Sequence, residues 1–115
     1  MAGLQIAERQ VGDVTILDLW GQITIGETSE ALRNEITRLV DGSQKKILLH
    51  MAGVRQVDSS GLGNLVACFT SVKRKGGELK LVKLSERIQD LMLMTKLLTV
   101  FDVYDGEEQA LGSFK

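Results

Sequence analysis

The groups that could do chemistry gather in the middle of the chain: His50, Asp58, Ser59, Ser60 and Cys68. The serines sit in Val57-Asp58-Ser59-Ser60-Gly61-Leu62-Gly63, so nucleophilic catalysis is the first reading to test. A hydrolase elbow needs Gly-x-Ser-x-Gly to set its serine on a sharp strand-to-helix turn; Val57 stands where Ser59 would need the first glycine. His50, the one histidine, falls in the apolar run Lys46-Ile47-Leu48-Leu49-His50-Met51 and reads as a strand side chain rather than a general base. A phosphate loop of the Walker type needs lysine after its second glycine, and Asn64 follows Gly63. No metal-ligand spacing occurs, and a single cysteine excludes an internal disulfide and any multi-cysteine metal site. The residues argue against an enzyme, and neither cofactor nor metal is expected.

What remains is a pair of hydroxyls at the start of a helix. After the motif, Leu62, Leu65, Val66, Phe69 and Val72 recur at the spacing of one apolar helical face, predicting a helix from Leu62 to Lys75 with Leu65, Val66 and Phe69 buried and Cys68 a small, partly buried thiol. The first turn of such a helix carries unpaired N–H groups and a partial positive charge, which favours an anion there. Two readings follow. Ser59 or Ser60 is an ordinary N-cap, with glycines for close packing; or Ser60 caps and Ser59 faces solvent, open to a kinase. A phosphate on Ser59 would add a charge of about −1.5 to −2, which the helix dipole tolerates, so a partner rather than the fold would sense it.

The elements around the motif alternate. Leu4 to Arg9 and Val14 to Gly21 read as a hairpin turning at Val11-Gly12-Asp13, and Gly21 to Thr24 continues as a short extended piece. A first helix follows Gly26, with Thr28 or Ser29 as N-cap, Leu32, Ile36, Leu39 and Val40 inward and Gly42 as its stop. Beyond the central helix, Gly76-Gly77 precedes a strand from Glu78 to Lys83, and Ser85 caps a third helix burying Ile88, Leu91, Met92 and Thr95. Leu98 to Tyr104 reads as a last strand or extended edge, before a short acidic helix from Asp105 to Leu111. Strand and helix in alternation call for parallel neighbours joined by crossovers: an α/β fold with a mixed, mostly parallel sheet and helices packed on it.

Composition bounds the partners. With 115 residues, 43% of them apolar and 25% charged, the chain suits one domain spanning residues 1–115. A net charge of −1 without a basic stripe argues against nucleic acid, and Lys73-Arg74-Lys75 reads as a solvated helix end. Met1-Ala2-Gly3-Leu4 lacks the basic start and apolar stretch of a secretory signal, and the longest apolar tract, Leu91 to Phe101, is interrupted by Lys96 and well short of the roughly 20 residues that span a bilayer. A soluble, cytoplasmic chain without a membrane partner is the expectation.

In these residues the chain resembles the STAS domain, and within it the bacterial anti-sigma factor antagonists. The resemblance rests on Leu17-Asp18-Leu19-Trp20-Gly21-Gln22-Ile23, on the Asp58-Ser59-Ser60-Gly61-Leu62-Gly63 core, on Lys75-Gly76-Gly77-Glu78-Leu79-Lys80-Leu81, and on Phe101-Asp102-Val103-Tyr104 with Glu107 to Leu111. It implies a partner switch. The unphosphorylated protein binds an anti-sigma factor that is also a serine kinase of the histidine-kinase-like ATPase type; phosphorylation of the first hydroxyl after the aspartate, Ser59, releases it; a serine phosphatase resets the cycle. Ser60 is the second candidate for the phosphate. Thr24, Asp58, Ser59, Ser60, Gly61, Leu62 and Gly63 are the expected partner-binding residues. Thr24 stands where the antagonists often carry an acidic residue, and Lys96 where many relatives have glycine; a lysine near a helix C-terminus is expected to make that change cheap. The other reading is a STAS module that does not switch, serving as scaffold, or a switch with a sigma-independent output; the intact serine pair favours a switch.

Overall fold

A computed structural model describes residues 3–114; Met1, Ala2 and Lys115, which the sequence reading included in its domain and its N-terminal expectation, lie outside the described residues. The elements run β1 (Leu4–Val11), β2 (Val14–Ile23), α1 (Glu27–Asp41), β3 (Lys46–Val57), α2 (Ser59–Arg74), β4 (Glu78–Val82), α3 (Glu86–Met94), a 3-10 turn (Leu97–Thr99), β5 (Asp102–Tyr104) and α4 (Glu107–Gly112). The sheet order is β1-β2-β3-β4-β5, with β1 antiparallel to β2 and every other pair parallel. This is the expected mixed, mostly parallel α/β architecture.

Parallel strands need covered faces, and the burial pattern supplies two cores. On one side Leu17, Leu19, Leu49, Met51 and Leu81 of the sheet pack with Leu32 and Ile36 of α1, Leu65 and Val72 of α2, and Ile88 and Met92 of α3. On the other, Val14, Ile16, Leu48 and Val82 pack with Ala110 of α4, and Tyr104, Leu111 and Phe114 close its rim. Strands β2 and β3 contribute apolar side chains to both faces for this reason, which explains the hydrophobic runs at residues 14–17 and 47–49, while β4 gives Leu79 and Leu81 to the first face and Lys80 and Val82 to the second.

Polar ties fix α4 to the second face. Arg9 holds Asp18 (Nε to Oδ2, 2.6 Å) and Glu107 (Nη2 to Oε1, 2.6 Å) at once, and Lys80, with a side chain only 8% exposed, donates to the Ser113 carbonyl and hydroxyl and lies 4.9 Å from the centroid of the Phe114 ring. A buried ammonium is tolerated when hydrogen-bonded and flanked by carboxylates and aromatic faces, and Glu78 and Asp102 complete that shell.

Several local expectations change. Leu98 to Val100 is not strand: the chain forms the 3-10 turn there, and β5 is three residues long. Apolar β-branched content alone does not distinguish the two, and here Leu97 and Leu98 are drawn toward the first core by a turn. Thr28 and Ser29 do not cap α1; Gly26 is the N-cap, while both hydroxyls lie in the first turn and donate back to the Thr24 carbonyl. On α2, Leu65 is fully buried, whereas Val66 and Phe69 are half-buried and Cys68 takes the deeper place. Phe69 sits edge-on to Phe101, with centroids 5.3 Å apart. On α3, Ile88 and Met92 are buried as expected, Leu91 is half-buried and Thr95 is exposed. Lys96 is left-handed, with φ 64°, a conformation that glycine adopts without strain and lysine does not, so its place there is costlier than its charge suggests.

Candidate functional site

The motif occupies the corner where β3 ends and α2 begins. Asp58, in extended conformation, is the N-cap: its Oδ1 accepts the Gly61 N–H at 2.7 Å, and its carbonyl accepts that of Leu62 at 2.8 Å. Aspartate and serine both make good caps, and the expectation that Ser59 or Ser60 would serve is corrected by one residue. The reason is tertiary. Asp58 Oδ2 also accepts the backbone N–H of Ile25 at 3.0 Å, so the same carboxylate caps α2 and fastens the β2–α1 loop. The carboxylate divides the two bonds between its oxygens, Oδ1 to Gly61 and Oδ2 to Ile25, whereas a hydroxyl would have to accept both on a single oxygen.

These bonds hold the Asp58 carboxyl below the usual aspartate range, first through the Gly61 N–H and then through that of Ile25, with Ser60 N–H adding to them. The charge is therefore fixed at the helix N-terminus, on the side facing solvent.

Relieved of capping, Ser59 and Ser60 are both exposed as the first two residues of α2. The Ser59 hydroxyl has no hydrogen-bond partner among the described residues. Gly63 is exposed, on open surface, one turn further along.

Gly61 and Leu62 point the other way. Both are buried, and a Cβ on Gly61 would drive into the Ile23 carbonyl, 2.7 Å from its carbon, so only glycine lets α2 start this close to the end of β2. They position the corner and do not present a surface. Thr24 is half-buried: its N–H donates to Thr28 Oγ1 at 3.0 Å, which holds the loop rather than a ligand.

Ile25 was not anticipated from sequence. It is 75% exposed beside Asp58, a large apolar side chain with no covering element. Its position after a strand and before a glycine gave no periodicity from which to read its direction. Thr24, Ile25, Asp58, Ser59 and Ser60 thus form one composite rim from two loops, with Gly63 behind it.

His50 is not part of this rim. It lies in β3 opposite Asp18, with Nε2 3.8 Å from Glu107 Oε1 under α4, and roughly 20 Å of strand separates it from Val57. Among the described residues there is no group of three His, Cys, Asp or Glu side chains suited to a metal ion, and no helix long and apolar enough to cross a membrane.

The sequence matches the STAS domain family over residues 5–110. Among curated proteins it is 35% identical over 88 residues to the anti-sigma-B factor antagonist of Bacillus subtilis, an alignment covering 76% of this chain and 78% of that one. It is 28% identical over 109 residues to the anti-sigma F factor antagonist of Paenibacillus polymyxa, covering 94% and 92%. Among solved structures, an anti-sigma factor antagonist from Mycobacterium paratuberculosis superposes with a TM-score of 0.82 at 19% identity, over 96% of this chain and 93% of that one, a likeness of fold. The chain belongs to the STAS domain family.

Proposed function

We propose that this STAS-family chain is an anti-sigma factor antagonist working as a partner switch. Unphosphorylated, it holds an anti-sigma factor that is also a serine kinase; phosphorylated on Ser59, it lets go; a serine phosphatase restores it. The observation that carries the reading is the division of labour at the corner. Asp58 does the capping, so Ser59 is left exposed with a free hydroxyl at the positive end of α2. Likeness in sequence to the Bacillus and Paenibacillus antagonists supports the choice of partner.

The chain is the substrate of the chemistry and not its catalyst. The kinase transfers the γ-phosphoryl group of ATP: the Ser59 Oγ–P bond forms, the bridging P–O bond breaks, ADP leaves, and the hydroxyl proton passes to a base on the kinase. Within the free domain the helix dipole offsets the new charge. Within a complex, the phosphate lies beside the fixed Asp58 carboxylate and must be desolvated together with it. Leaving an unpaired charge buried costs about 3 to 5 kcal/mol, several hundredfold or more in affinity, which is enough to exchange partners. Thr24, Ile25, Asp58, Ser59, Ser60 and Gly63 form the docking rim in this reading, with Ile25 as its apolar anchor.

Incubation with the cognate anti-sigma factor kinase and ATP, followed by phosphopeptide mass spectrometry and a pull-down, tests the proposal. Phosphate on Ser59 with loss of the complex is expected. Phosphate on Ser60 alone would move the site, and an unphosphorylated chain that still binds would make it a module that does not switch.

A further inference from the structure

Helices α1 and α2 lie side by side, and two ties bound the space between them. At one end Asn64 Nδ2 donates to the Ser29 carbonyl at 2.7 Å; at the other Lys75 Nζ donates to Asp41 Oδ1 at 2.8 Å. Asn64 and Lys75 are separated by about 16 Å of helix at 1.5 Å per residue. Between them α2 turns Ala67, Cys68 and Ser71 toward α1, the i+3, i+4 and i+7 positions counted from Asn64. Side chains this small do not fill the gap between two helices held apart at both ends, and a trough of about 350 Å³ is left.

Its floor is apolar and its rim is cationic. Ile36 and Val40 of α1 meet Cys68 and Val72 of α2 below, all buried, and burial pushes the Cys68 thiol up to about 11, so the floor is uncharged at neutral pH. Arg33 and Arg74 stand at the edge, exposed, and neither has a carboxylate partner among the described residues. Arg9, Arg38 and Lys75 are by contrast all paired. Among the described residues no acidic side chain lines the trough. In a chain with net charge −1, a cationic concavity over an apolar floor is complementary to a small anion with a hydrocarbon body.

The two arginines are not equivalent. Arg74 is in the last turn of α2, where the carbonyl end of the helix repels an anion, whereas Arg33 lies within α1 and its charge reaches Cys68. We propose that this trough binds a small amphipathic monocarboxylate, with the carboxylate on Arg33 and the hydrocarbon chain over Ile36, Val40, Cys68 and Val72. A guanidinium presents two parallel N–H donors to a carboxylate, and the short apolar floor suits a chain of medium length.

The site needs no protein partner, so its test is independent of the switch. Sodium octanoate is titrated into the full chain while the methyl signals of Ile36, Val40 and Val72 are followed by NMR. Saturable shifts at these methyls are expected, with affinity about tenfold weaker for Arg33→Gln, about twofold or less changed for Arg74→Gln, and much weaker for 1-octanol on the native chain. Arg33 is exposed on α1, and an unchanged amide spectrum establishes that the variant is folded. Equal affinity for Arg33→Gln, equal binding of 1-octanol, or shifts centred elsewhere, as at exposed Leu93 and Met94, would overturn the site.

Discussion

The Asp58 carboxylate and the Ile25 backbone N–H, 33 positions apart in sequence, are 3.0 Å apart in space, and this bond ties the loop after β2 to the start of α2. Removing the carboxylate with Asp58→Ala should lower the melting temperature and release residues 24 to 26, read as faster amide hydrogen exchange at Ile25. The pH dependence has a definite sign. Since the folded-state pKa lies below the ordinary aspartate value of about 3.9, the contribution of Asp58 is present above that value and is lost as pH falls through the folded pKa. The stability gap between native and variant chains should therefore be constant near neutrality and close in acid, below about pH 4. A gap that widens in acid would contradict the cap.

Ser59→Ala should resist phosphorylation and stay bound to the kinase, and Ser59→Asp should bind weakly while melting close to the native temperature. Ser60→Ala should still accept phosphate, because Ser60 is not the cap. Binding by calorimetry and phosphopeptide mapping read these outcomes. A large loss of melting temperature in Ser59→Asp would mean that the switch acts through the fold.

Two glycines in one motif should respond in opposite directions. Gly61→Ala forces a Cβ against the Ile23 backbone, which cannot rotate aside, and overpacking of this kind costs about 3 kcal/mol. Gly63→Ala has open space around its new methyl and removes a flexible residue from inside α2, a gain of about 0.5 to 1 kcal/mol. Urea denaturation of the pair measures both.

Lys96→Gly should stabilise the chain by about 1 kcal/mol, against the usual sign for glycine, by relieving a left-handed lysine just past α3. Thermal unfolding checks it. A neutral or destabilising result would show that charge at the helix end outweighs the backbone strain.

Hydrophobic period carried most of the fold in advance. The inward positions Leu32, Ile36, Leu65, Val72, Ile88 and Met92 follow helical spacing, and Gly12, Gly26, Gly42 and Gly76-Gly77 mark element ends, so the alternation of strand and helix was readable. Placing the serine pair at a helix start was readable for the same reason. The identity of the cap was not, because three adjacent residues all have capping side chains and the choice is made by Ile25, a partner distant in sequence. The inward turn of Gly61 and Leu62 and the outward turn of Ile25 depend on how closely α2 meets the end of β2, which no local pattern encodes. Residues 98 to 101 failed as strand because a short apolar run serves a turn equally well.

The composite character of the corner has a consequence for chains still being made. Residues 24 and 25 and residues 58 to 60 meet only once β2 and β3 have paired in parallel, a long-range event that cannot precede synthesis of β3 and the start of α2 behind it. A peptide carrying Ser59 alone has the hydroxyl but neither the fixed helix end nor the Ile25 neighbour. A partner that docks on this rim consequently counts finished molecules only: nascent, truncated or misfolded copies do not enter its tally, and the surface doubles as a certificate of native structure.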